Sequence, residues 1–139
     1  MTGGRPSGGD CYELYRGAGL GIKLLYDILR PGIDPLSEDN AVIIAPGPFT
    51  GTTLPCTSRT SRVAIMSKSP LTGAIGMSMC GGYFPSELKY SGWDAIIITG
   101  KASKPTLLFV TKQGVRFLDA SDFYEALLQL TANNLLKKS

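Results

Sequence analysis

"KSPLTGAIGMSMCGGYFPSELKYSGWDAIIITGK", residues Lys68 to Lys101, sets a Lys-Ser-Pro turn, the glycines Gly73, Gly76, Gly81 and Gly82, one thiol and a short amphipathic segment ending at Gly92 ahead of an apolar run. The run itself, "DAIIITG" from Asp94 to Gly100, is the clearest strand signal in the chain, because four consecutive β-branched residues, Ile96 to Thr99, stand between turn formers. Just before it, Pro85, Glu87, Leu88 and Tyr90 predict a short helix with Gly92 as its C-terminal stop. Main chain stripped of side chains beside an apolar strand raises the question of whether something must come close to that backbone.

Toward the N-terminus, "VAIMSK" (Val63 to Lys68) predicts a strand. "AVIIAPGP" (Ala41 to Pro48) is a continuous apolar run closed by Pro-Gly-Pro, as expected of a buried strand that delivers a loop. Leu20, Leu24, Leu25, Ile28 and Leu29 recur at helical spacing until "RPGIDP" stops the element. Toward the C-terminus, "PTLLFVTKQGVRFLD" (Pro105 to Asp119) predicts a hairpin turning at Lys112, Gln113 and Gly114. Phe123, Ala126, Leu127 and Leu130 then give a helical stripe after an acidic and serine-containing cap cluster. Hairpins and helices are mixed without βα alternation, so the expected class is α+β, a mixed or antiparallel sheet with a few flanking helices. Residues 1–11, rich in glycine and serine, are expected to be a flexible N-terminal segment, with the folded part over residues 12–139.

The totals bound the function. With 139 residues, 43% of them hydrophobic, the chain can bury one core. A net charge of +3 from scattered basic and acidic side chains offers no basic stripe, which argues against nucleic acid as partner. No apolar run is long enough for a bilayer and the first residues lack a signal peptide's apolar core, so a cytoplasmic protein without membrane contact is expected. Histidine is absent, which removes the usual general base at neutral pH. The three cysteines, Cys11, Cys56 and Cys80, are widely spaced and form no iron–sulfur or zinc signature.

Three segments concentrate glycine: "RGAGLG" (Arg16 to Gly21), "GPFTGTTLP" (Gly47 to Pro55) and "GAIGMSMCGGYF" (Gly73 to Phe84). The first has the look of a dinucleotide loop but follows no convincing strand, so its glycines are expected to let the first helix start close against a neighbouring backbone. In the third, Gly81 and Gly82 lie immediately before the short helix. They either present main-chain amides to an anionic or amide-rich ligand or only make a tight strand-to-helix turn.

The motifs "GLGIKLLYD", "PGIDPLSEDN", "APGPFTGT", "SKSPLTGAIG", "GGYFPSELKYSGWDAIIITGKASKP" and "DAS", in that order from Gly17 to Ser121, resemble the N-terminal domain of the aldehyde ferredoxin oxidoreductase family. The resemblance implies a domain that cradles a tungsten-bispterin cofactor (tungstopterin), in enzymes that oxidise aldehydes or run related low-potential reactions. In such enzymes a nearby [4Fe–4S] cluster passes electrons to ferredoxin. The glycines would then let pterin and phosphate groups bond directly to main chain. The family's cofactor-contacting arginine corresponds to Arg59 counting forward from Pro55 or to Arg62 counting back from Lys68, because the loop is longer here. In the family's Asn-Ser-Gly-Gly stretch the asparagine and first glycine contact pterin. This chain carries Met79, Cys80, Gly81 and Gly82 there, so Gly81 carries over while the amide is replaced by a thioether.

The cluster cysteines and active-site acids of such enzymes have no counterpart here, so no catalytic or metal-ligating residue is assigned. The chain is expected to be about half of one domain of a longer oxidoreductase, not catalytically complete alone. The alternative from the structural class is a stand-alone, cofactor-free protein that forms a homodimer. A nucleotide or phosphate binder using Gly81 and Gly82 is a third reading.

Overall fold

The computed structural model describes residues 17–52 and 62–124. They form two compact units divided after Gly100. In the first, α1 (Gly17–Ile28), β1 (Val42–Pro46), β2 (Arg62–Lys68), β3 (Ile75–Gly81), α2 (Phe84–Tyr90) and β4 (Ile96–Ile98) follow one another. The strands make one antiparallel sheet in the order β3-β2-β1-β4. The α+β expectation thus resolves into a purely antiparallel sheet with two helices in this unit.

The interior lies between α1 and the two central strands. Leu25 from α1 meets Ala41, Ile43, Ala45, Ala64 and Met66, all buried. Alternation puts Ile43 and Ala45 on the face that Ala64 and Met66 share, since the pairings are Ile43 with Met66 and Ala45 with Ala64. The glycines of "RGAGLG" explain how the helix comes so near. A β-carbon on Gly17 would sit 2.5 Å from the Pro46 carbonyl oxygen, and one on Gly21 would fall on the Met66 methyl. The segment is therefore a packing device, in line with the expectation of close approach and at odds with a dinucleotide loop. Where the sequence pointed to Leu20 as the start of the helical pattern, α1 begins at Gly17.

Two polar side chains fasten the "PGIDPLSEDN" segment to the sheet. Asn40 donates from Nδ2 to the carbonyls of Pro35 and Lys68 and accepts from the Lys68 amide, while Lys68 Nζ donates 2.7 Å to the Ile33 carbonyl. The motif residues Asn40 and Lys68 thus hold architecture, since half-buried amide and ammonium groups need such partners.

The largest departure from expectation is β3. The sequence marks Ile75 to Gly81 only as part of a glycine-rich segment and predicts no strand there, yet it pairs along its whole length with β2, from Lys68 opposite Ile75 to Arg62 opposite Gly81. A turn closes the hairpin, with Ser69 N to Ala74 O at 2.8 Å, Gly73 N to Ser69 O at 2.9 Å and Gly73 at φ +67°. The period-two pattern was present, apolar at 75, 77 and 79 and small at 76, 78 and 80, but small residues replaced the polar ones that usually mark it. The Asp94 to Gly100 strand is shorter than expected: β4 spans Ile96–Ile98 at a sheet edge, and only Ile96 is buried. Gly100, at φ +80°, turns away and its amide bonds the Glu38 carbonyl.

The second unit holds the expected hairpin, β5 (Thr106–Thr111) and β6 (Gly114–Asp119), paired antiparallel from Thr106 opposite Asp119 to Thr111 opposite Gly114. Arg116 stacks over the Phe109 ring at 5.6 Å. Asp119 accepts from both the amide and hydroxyl of Ser121, which holds its carboxyl below the usual value and starts a helical turn over residues 121–124. Of the predicted terminal helix, Phe123 lies in that turn, while Ala126, Leu127 and Leu130 lie outside the described residues, as do residues 1–11, Cys11 and Cys56. Among the described residues no helix is long and apolar enough to cross a membrane.

Candidate cofactor-binding site

The hairpin register decides which candidate residues meet. Arg62, the first residue of β2, faces Gly81, the last of β3, and the next pairs are Val63 with Cys80 and Ala64 with Met79. Directly opposed residues share a face, so Arg62, Gly81 and Met79 lie on the same side of the sheet as buried Ala64 and Met66. Cys80 lies on the other face with Val63, and its thiol is exposed. The structure therefore brings together Arg62, Met79 and Gly81 and separates Cys80 from them. Arg59 lies outside the described residues.

This corner is open where the rest of the sheet is closed. Arg62, Gly81 and Gly82 are exposed, and Met79 retains 49% of its accessible surface. Among the described residues the ion pairs are Lys23 with Asp27 and Lys89 with Asp94, so the Arg62 guanidinium is not committed to either. Gly82 adopts φ +125°, a conformation that side chains resist, and carries the chain from β3 into α2. A β-carbon there would meet nothing within 4 Å, so backbone conformation and not crowding selects glycine. The readings of Gly81 and Gly82 now separate: Gly81 is a strand residue facing an arginine, and Gly82 makes the strand-to-helix turn.

Sequence reasoning gave the Gly47 to Pro55 segment no specific role, and the structure puts its first part beside the same corner. The Gly47 amide donates 3.2 Å to the Arg62 carbonyl, which binds the end of β1 to the start of β2. Two turns follow, with Thr50 N to Gly47 O and Thr52 N to Phe49 O, and Thr50 is buried. The Tyr90 hydroxyl, from the end of α2, donates 2.8 Å to the Gly51 carbonyl. Gly51 at φ +78° lies under the Tyr90 ring, close enough that a β-carbon would sit 3.1 Å from Tyr90 Cε1. The available signal was the glycine in "FTGT" with a tyrosine closing the later helix, a pairing visible only in three dimensions.

Chemically, the corner combines a forked cation, exposed strand-end backbone and a soft thioether. That set suits a large anionic guest with hydrogen-bonding edges. The comparison with known proteins bears on which guest. The model of the aldehyde ferredoxin oxidoreductase N-terminal domain matches residues 7–139. The chain belongs to the aldehyde ferredoxin oxidoreductase family. A tungsten-containing aldehyde ferredoxin oxidoreductase of Pyrococcus horikoshii is 44% identical over 117 residues, covering 84% of this chain and 19% of the relative. The WOR-like subunit of an aliphatic sulfonate oxidoreductase from Pyrococcus furiosus is 35% identical over 115 residues, covering 81% of this chain and 18% of that subunit. Among solved structures, the active site complex BamBC of benzoyl coenzyme A reductase, in complex with 1,5-dienoyl-CoA, contains a chain that superposes at a TM-score of 0.73 with 36% identity. The superposition covers 80% of this chain and 17% of that one. The chain thus spans about a fifth of the length of its aldehyde ferredoxin oxidoreductase relatives. Family members named for different reactions each match more than four-fifths of this chain.

Proposed function

We propose that this chain is the cofactor-cradling portion of an aldehyde ferredoxin oxidoreductase-like enzyme, with Arg62 and Gly81 as contacts of a tungsten-bispterin group. The observation that carries the reading is the pairing of an exposed guanidinium with a glycine directly across two strand ends. Arg62 can give two parallel N–H bonds to a phosphate, and the missing side chain at Gly81 lets a flat ring system approach main-chain donors and acceptors. The fit is looser at Met79, where a thioether stands in place of the amide of the family pattern, so recognition there falls to the backbone and to sulfur packing.

When bound, such a group supplies a metal redox centre for oxidising aldehydes or for related low-potential reactions. This chain's own residues contribute charge compensation at Arg62 and close approach at Gly81, on a strand whose next inward-facing residues, Ala64 and Met66, are fixed in the core under α1. Substrate groups, the [4Fe–4S] cluster and the contact with ferredoxin belong to the remaining four-fifths of such an enzyme. A second reading, self-association without cofactor, is favoured by the exposure of Ile75, Met77 and Met79 on β3, which has no neighbouring strand on one side among the described residues.

One preparation separates the two. Protein produced with tungstate is analysed for tungsten by mass spectrometry, for pterin by fluorescence after oxidation, and for mass in solution. Tungsten and pterin should copurify, and Arg62→Ala should lower their retention roughly tenfold to a hundredfold, the loss expected for a charge-assisted hydrogen-bond pair. A dimer free of both would overturn the cofactor reading in favour of the second.

A further inference from the structure

We infer that Tyr90 is a positioning residue for the Arg62 corner, acting through the turn that follows β1; the inference rests on the reading of Arg62 and Gly81 as the cofactor contact. Its basis is a closed circuit of bonds. Arg62 faces Gly81 across the hairpin, and Gly81 leads through Gly82 into α2. The last residue of α2 is Tyr90, whose hydroxyl donates 2.8 Å to the Gly51 carbonyl. From Gly51 the chain runs back through the Phe49 to Thr52 and Gly47 to Thr50 turns to Gly47, whose amide bonds the Arg62 carbonyl. Every link except Tyr90 to Gly51 is covalent backbone or main-chain hydrogen bonding. That one link is a side chain, and it is what closes the circuit.

The link has two parts with different chemistry. The phenol ring lies against the bare α-carbon of Gly51, and the hydroxyl caps the Gly51 carbonyl. Tyr90 is 57% exposed, so the ring contributes little to the interior, where Leu88 and Pro85 hold α2 in place. Its position at the end of α2 is anchored separately: the Ser91 amide bonds the Glu87 carbonyl, Gly92 N bonds Lys89 O, and Lys89 pairs with Asp94. A side chain that is outside the core, on a helix held by other contacts, and bonded to a glycine at φ +78° serves the turn more than the fold. With the turn held, the Gly47 amide stays on the Arg62 carbonyl and the arginine keeps its place opposite Gly81. Without it, the Gly47 amide on the Arg62 carbonyl still ties the turn to this corner, with the Tyr90 end released.

The test uses the 139-residue chain with Tyr90→Phe, which keeps the ring and removes the donor, and Tyr90→Ala, which removes both. Amide hydrogen exchange at Gly47, Thr50 and Thr52 should rise about fivefold in Tyr90→Phe, as for one lost hydrogen bond, and further in Tyr90→Ala, while amides of α1, β1 and β2 beyond Arg62 stay at wild-type rates. Tungsten and pterin retained per chain should fall in the same order, Tyr90→Phe recovering part of what Tyr90→Ala loses. Exchange at the three turn amides unchanged in Tyr90→Phe would overturn the inference, and so would acceleration spread evenly over the sheet, which marks a purely structural role. If wild-type protein holds no tungsten while the turn amides still respond selectively, the cofactor reading fails and the positioning of the turn by Tyr90 stands. If wild-type and both variants hold equal tungsten, the cofactor reading stands and Tyr90 is not its positioning residue.

Discussion

At the start of α1 a β-carbon on Gly17 would lie 2.5 Å from a carbonyl oxygen of β1, whereas at Gly82 it would meet nothing within 4 Å. Both glycines sit in motifs that could be taken for ligand loops. The first is favoured because neighbouring main chain fills the space where a side chain would be, the second because its φ of +125° strains any side chain even in empty space. A glycine-rich motif is therefore not a binding signal in itself. What sets the Gly81 corner apart is the exposed arginine in register with it.

Substitutions can break this comparison. Leu25→Ala, in the closed region, should cost about 2–5 kcal/mol in chemical denaturation, since Leu25 is fully buried and its removal leaves a cavity. Gly17→Ala should cost about 2 kcal/mol despite alanine's better helix propensity, because the obstructing atoms are backbone and cannot swing aside. A stability equal to wild type would show that the helix can shift and that the close approach is not required. Gly82→Ala should cost about 1 kcal/mol, through conformation alone, and leave the interior intact by near-ultraviolet circular dichroism.

Two smaller effects sharpen the contrast on the open side. Met79→Asn, which installs the amide of the family pattern at a half-exposed site, should change stability by less than about 0.5 kcal/mol. Tungsten retention should nevertheless rise, so a loss would place the asparagine pattern out of reach of the guest. In the hairpin unit, Asp119 has its folded pKa held below the ordinary 3.8 by the two Ser121 bonds, so the contribution to stability is present above that value and fades as pH falls through the lowered one. An NMR titration of the carboxyl should show a midpoint under 3.8 that moves back up in Ser121→Ala.

Much of this frame was legible in the chain. The apolar runs of β1 and β2, the Pro85 to Gly92 helix and the Lys112 to Gly114 turn follow from local pattern, because each element's period and its stop signals lie side by side. β3 was not legible, since glycine, serine and cysteine on its alternate positions mimic a loop. The Arg62 to Gly81 pairing was hidden for the same reason, as it exists only once the hairpin register is known. The Tyr90 contact joins residues far apart in sequence and had no local signature at all. Family resemblance supplied what pattern could not, by pointing to Arg62 and Gly81 through their motifs, yet it left Arg59 and Arg62 as equal candidates.

The methionines of the sheet offer a chemical clock. Met66 is sealed under α1 with its methyl against Gly21, while Met77 and Met79 on the neighbouring strand expose about half their surface. Dilute peroxide should therefore convert the outer pair to sulfoxides long before the inner one. Because a sulfoxide forms only where oxidant can reach the sulfur, the lag at positions 77 and 79 in any preparation would measure, by peptide mass alone, how much of that strand has been shielded.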